Sequence, residues 1–155
     1  MKKIVAWVLV ILWCGVIFYF SAEDRIVSHD RSSKIKETVE KVIVKVVKEN
    51  GIDRNIRVRL EYYIRKTGHL LEYFILAVLV FNALWVSGIK GLKLYSVTFY
   101  MSLVYASLDE FHQSFVPGRG PQVSDVLLDG VGVAMGILLS AMLRRYRGHH
   151  IKMRS

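Results

Sequence analysis

Between Ser107 and Gly132 the chain sets Asp109, Glu110, His112, Arg119, Asp125 and Asp129 between two apolar runs long enough to read as membrane spans. An acid held near the centre of a membrane helix costs about 2.5–3.5 kcal/mol. A chain with several of them at the edge of a hydrocarbon phase must compensate them with one another, with a cation or with a ligand. That requirement restricts the fold more than any other feature of the sequence.

The 155 residues fit one domain. A hydrophobic share of 53% beside a charged share of 23% is reconciled only if the two are segregated along the chain. They are: charge gathers at the N-terminus, between Glu23 and Lys66, in the central stretch and after Arg144. This is the layout of a polytopic membrane protein, and the expected fold is an all-α integral membrane helix bundle with about four transmembrane helices. The net charge of +9 suits anionic lipid head groups. A nucleic-acid partner is excluded by the lack of a basic stripe interleaved with aromatics. Cys14, the single cysteine, lies inside the first apolar run; it has no intrachain partner and reads as a packing residue.

Lys2 and Lys3 precede an apolar run from Ile4 to Phe20, read as a retained signal anchor because its apolar core is long and no small-x-small cleavage pattern follows. Further spans are expected over about residues 68–87, 94–109 and 123–143, with a basic tail over 144–155. Between the first and second spans, Ile35, Val39, Val42, Ile43, Val46 and Val47 recur at helical spacing against Lys34, Glu37, Lys41, Lys45 and Lys48. They predict an extracellular amphipathic helix over about 34–50, lying on the head groups or capping the bundle. Basic residues set the orientation: Lys2, Lys3, Lys90, Lys93 and the tail from Arg144 fall on one side, which places both termini in the cytoplasm. The Lys and Arg of the segment after the first span run against this count, offset by its length and its acids.

In that topology the start of the second span, the end of the third and the start of the fourth share the outer surface. Each brings polar residues there. Arg65, His69 and Glu72 share a helix face, Asp109 and His112 are three apart, and Asp125 and Asp129 are four apart. Gly132 and Gly136 continue the face of Asp125 and Asp129, and small residues at this spacing permit close helix approach. These glycines lack the preceding strand of a dinucleotide fingerprint. In FVPGRGPQ, Pro117 and Pro121 stiffen the loop that holds Arg119, whose guanidinium suits a carboxylate, either internal or on a ligand, or a phosphate.

Glu72, Asp109, Glu110, Asp125 and Asp129 outnumber Arg65, Lys66 and Arg119, so the cluster is negative unless a histidine is protonated, an acid is neutral or a cation binds. A divalent metal on His69, Glu72, Asp109 and His112 is one way to balance it, although the spacing matches no established metal signature. Candidate catalytic residues are Asp109, Glu110 and His112; candidate ligand-binding residues are Arg65, His69, Glu72, Gln113, Arg119, Asp125 and Asp129.

RKTGHLLEY, followed by YASLDEFHQSFVPGRGPQVSDVLLDGVGVAMG, resembles the VanZ-like membrane protein family, and the likeness extends from the first span to Leu143. The resemblance implies a bacterial inner-membrane protein of a family whose named member is linked to resistance against teicoplanin and related glycopeptides. Two functional classes follow. One is a binding or envelope-modulating protein whose outer polar site engages a glycopeptide, a cell-wall precursor or another envelope ligand. The other is a membrane-embedded hydrolase or transferase acting on a lipid-linked substrate, with His112 or His69 as general base and Asp109 or Glu110 orienting it or holding a metal. Mere polar glue between helices is the structural alternative. A transporter is disfavoured by the few spans and the lack of an internal repeat.

Overall fold

The structure, a computed structural model, describes residues 1–21, 54–115 and 123–152. Four helices occupy them: α1 (Lys2–Ser21), α2 (Arg54–Val86), α3 (Gly91–Gln113) and α4 (Val123–Lys152). The amphipathic helix expected over 34–50 and the loop carrying Arg119 lie outside the described residues.

Among the described residues, three helical stretches are long and apolar enough to cross a membrane: Lys2–Ser21, Lys66–Val86 and Ser124–Tyr146. Their 20, 21 and 23 residues rise about 1.5 Å each, which matches a hydrocarbon core of roughly 30 Å. At 23 residues, α3 is long enough as well, but its run of Tyr, Ser and Thr makes it more polar than the other three. The all-α membrane bundle expected from the sequence is the fold observed.

Burial runs opposite to that of a water-soluble bundle. The inward face of α3 carries Thr98, Ser102, Ala106, Asp109 and Gln113, while Tyr100, Val104, Leu108, Phe111 and Phe115 point outward. On α4, Asp129, Val133, Ile137 and Ser140 are buried, and Leu127, Val131, Met135, Leu138 and Met142 are exposed. Large exposed apolar side chains on a soluble monomer mark a binding surface. Along whole helices they mark contact with lipid, where polar residues turn toward the bundle interior.

α2 is the axis of the bundle. It packs against α1, α3 and α4, most extensively against α4, whereas α1 and α4 do not meet. Tyr73, Leu76, Ala77, Val80, Phe81 and Leu84 on α2 form most of the apolar core. The α2–α4 seam is set by glycine. A Cβ built at Gly132 would lie 2.4 Å from the Leu70 carbonyl oxygen, and one at Gly136 would lie 2.5 Å from that of Phe74, so any side chain would force the backbones apart. The close approach expected from the spacing of these two glycines is present, and α2 is the partner.

The turn from α2 to α3 closes with Gly88 at φ +103°, a left-handed cap that glycine adopts without Cβ strain. The Ile89 amide donates to the Leu84 carbonyl at 3.1 Å, completing it. Long polar side chains then fix the relative depth of the helices. Trp7 Nε1 donates to Ser87 Oγ (3.1 Å), Trp13 Nε1 to the Glu72 carbonyl (3.0 Å) and the Tyr105 hydroxyl to the Cys14 carbonyl (2.6 Å). Gln113 Nε2 donates to Ser21 Oγ at 2.8 Å, and Arg144 donates to Asn82 Oδ1 at 2.9 Å. One end of the bundle therefore gathers the start of α1, the α2–α3 turn and the basic end of α4. The opposite end gathers Ser21, the first turns of the α2 span, the end of α3 and the start of α4.

Candidate functional site

The acids collect at that second end, each for a local reason. Asp109, Glu110 and Gln113 sit on the last turns of α3 and are buried, as is Asp129 on α4, only 2% exposed. Asp129 falls one turn before Gly132 on the face that the glycines draw against α2. The seam that excludes lipid therefore also carries a carboxyl group inward. Asp129 lies in the fields of Asp109, Glu110 and Glu72, opposed by Lys66.

Around Asp109 the contacts come from three helices. Gln113 Nε2 donates both to Asp109 Oδ2 (3.0 Å), one turn back on α3, and to Ser21 Oγ at the end of α1. Ser21 and Tyr73 flank the Asp109 carboxyl group, and His112 lies within its electrostatic reach. Tyr73, from α2, is fully buried; its hydroxyl faces Asp109 without closing a well-aligned hydrogen bond. Asp109 Oδ1, Asp129 Oδ1 and His112 Nδ1 are buried polar atoms with no hydrogen-bond partner among the described residues. Such atoms are rare in folded proteins and call for an explanation.

The remaining candidates are placed as follows. Asp125 pairs with Lys66 across the α2–α4 seam, so its charge is already matched within the protein. His69 Nδ1 lies 3.8 Å from Glu72 Oε2, the pair set by their spacing of three on one helix. The His112 ring packs on Phe18 with centroids 4.5 Å apart. The side chain of Arg65, like Arg119, lies outside the described residues. Among the described residues no group of three or more His, Cys, Asp or Glu side chains is placed to hold a metal ion. His69, Glu72, Asp109 and His112 thus do not converge as one ligand set among the described residues.

Ser21 and Tyr73 have contacts in the site that the sequence did not assign, while Lys66, counted there among the cations of the cluster, pairs with Asp125. Tyr73 stands four residues after His69, a spacing that signals a shared face, and Lys66 stands three before it. Ser21 ends an apolar run and carries no positional signal.

A helix bundle that turns its apolar faces to lipid and buries carboxyl groups at one end is an integral membrane protein with an internal polar site. The chain belongs to the VanZ/LLP1 family, whose model matches residues 6–144. No curated protein and no solved structure matches it.

Proposed function

We propose that the acidic end faces the envelope of a bacterial inner membrane and binds a ligand rich in hydrogen-bond donors, such as a wall precursor, a lipid-linked sugar or a glycopeptide. By doing so it lowers susceptibility to teicoplanin-type antibiotics. The observation that carries this reading is the pair of buried carboxylate oxygens, Asp109 Oδ1 and Asp129 Oδ1, left without donors among the described residues. A buried acceptor without a donor costs about 1–3 kcal/mol. A ligand amine or hydroxyl placed there recovers that cost on binding, whereas polar residues serving only as glue would satisfy one another. What supports this orientation is the position of Lys2, Lys3, Lys90, Lys93, Arg144 and Arg145 near the other end, since basic residues favour the cytoplasmic side.

The test is the teicoplanin inhibitory concentration of a sensitive Gram-positive host expressing the chain, with Asp109→Asn and Asp129→Asn at matched membrane levels. Raised tolerance that both substitutions abolish is the expected result. Tolerance unchanged by the wild-type chain refutes the glycopeptide arm; tolerance that survives both substitutions refutes the site.

A second reading is favoured by His112, whose Nδ1 is buried without a partner while its ring lies in the field of Asp109. A histidine within reach of a carboxylate offers the two groups that general-base catalysis needs. In a hydrolase or transferase acting on a lipid-linked substrate, His112 takes a proton from the attacking hydroxyl or water and Asp109 stabilises the imidazolium. His112→Gln tests the reading: turnover lost with ligand retained identifies His112 as the base, turnover retained removes it from that role, and a wild-type chain that binds ligand without turning it over excludes the enzyme.

A further inference from the structure

At the opposite end, the start of α1 and the α2–α3 turn enclose an open cleft of about 670 Å³ that the acidic site does not use. Lys2, Lys3 and Lys90 line it together with Ile4, Trp85 and Val86, and no Asp or Glu is among its lining residues. Trp85 is the centre. Lys90 Nζ sits 3.2 Å from its ring centroid and the Arg144 guanidinium 4.2 Å away. Each cation is attracted by the indole face, yet the two repel each other, and the lysines of α1 add to that repulsion. Lys90 is also the N-cap of α3 and provides no side-chain cap, so the positive end of the α3 dipole stands beside the same group.

We infer that this cleft binds the phosphodiester of an anionic glycerophospholipid, with Lys2, Lys3 and Lys90 around the phosphate and an acyl chain running along Ile4 and Val86. Three features select lipid over free phosphate. The walls of the cleft are largely apolar; the cleft opens at the ends of two membrane-crossing helices; and an indole at that level is the usual anchor of the head-group region. An anion there relieves the repulsion among Lys2, Lys3 and Lys90, which share the cleft with no acid in its lining.

The experiment uses the full chain in phosphatidylcholine nanodiscs doped with phosphatidylglycerol. Retained phosphatidylglycerol is counted by native mass spectrometry on release. Lys3→Gln with Lys90→Gln should weaken retention roughly thirty-fold, the loss set by removing two lysines at a membrane surface. The charge-matched control, Lys93→Gln with Arg145→Gln, should leave it within about two-fold of wild type. Equal losses in both pairs would mean diffuse surface attraction and overturn the site, as would no loss in either. Retention that millimolar inorganic phosphate abolishes would reassign the cleft to a soluble anion. A second measurement needs no variant: tryptophan fluorescence of the wild-type chain should be quenched more by brominated phosphatidylglycerol than by brominated phosphatidylcholine at equal mole fraction. Equal quenching by the two lipids would overturn the proposal even if the substituted proteins failed to fold.

Discussion

Replacing Gly132 by alanine adds one methyl group where the structure has no room for it. The new Cβ would stand 2.4 Å from the Leu70 carbonyl oxygen, and ordinary contact begins at 3.4 Å, so α2 and α4 must part by about 1 Å at that level. Backbone shifts of this kind cost about 1–3 kcal/mol. Gly130, two residues earlier on the same helix, is the control: its Cβ would meet only Leu103 Cδ1, at 3.7 Å, and alanine there gains up to about 1 kcal/mol of helix propensity. The two substitutions, chemically identical, should move stability in opposite directions. The assay is the midpoint of reversible unfolding in mixed detergent micelles titrated with sodium dodecyl sulfate. Gly132→Ala should lower the midpoint and Gly130→Ala should leave it level or raise it. Because Asp125 meets Lys66 across the same seam, Gly132→Ala should also weaken any ligand binding at the acidic end. A Gly132→Ala protein as stable as the Gly130→Ala protein would refute the reasoning, since the α2–α4 seam would then not depend on backbone contact.

Lys66→Met alone leaves Asp125 without its cation and should destabilise the protein by about 2–4 kcal/mol, most of it recovered by adding Asp125→Leu; additive losses in the same unfolding titration would show that the two do not pair. Tyr105→Phe removes the hydrogen bond to the Cys14 carbonyl, worth about 1 kcal/mol, and should speed maleimide labelling of Cys14 in membranes. An unchanged labelling rate would mean that α1 is held elsewhere. Orientation is tested in a Cys14→Ser background: Phe115→Cys should react with a membrane-impermeant maleimide on intact cells, and Tyr146→Cys only after permeabilisation. The reverse pattern would place the acidic end in the cytoplasm and remove the basis for envelope binding.

The bundle was largely legible because apolar length and the positions of charge speak directly of a membrane. The glycine seam was legible too, since Gly132 and Gly136 share a face with Asp129 and only backbone proximity makes such spacing useful. Spacing carried less weight on α2. It grouped Arg65, His69 and Glu72, yet the residue buried deepest against Asp109 is Tyr73, and periodicity alone does not rank neighbours around a helix that is packed on several sides. Reading α3 as a simple span missed its inward polar face, because Thr98 and Ser102 are scattered among aromatics whose outward orientation depends on the partners. Ser21 was out of reach for a different reason. Its role arises from Gln113, 92 residues away, and no local pattern reports a contact of that range.

The same separation bears on how the protein is made. α1 precedes the other described helices in the chain, but its end meets the site at the close of α3, through Gln113 and beside Asp109, and Asp129 arrives later still. A ribosome that has delivered α1 and α2 has therefore delivered none of the buried acids, only two helices joined through Trp7 and Trp13. The acidic end is incomplete until almost all of the chain has been translated. A product truncated within α3 would remain in the membrane as a silent fragment.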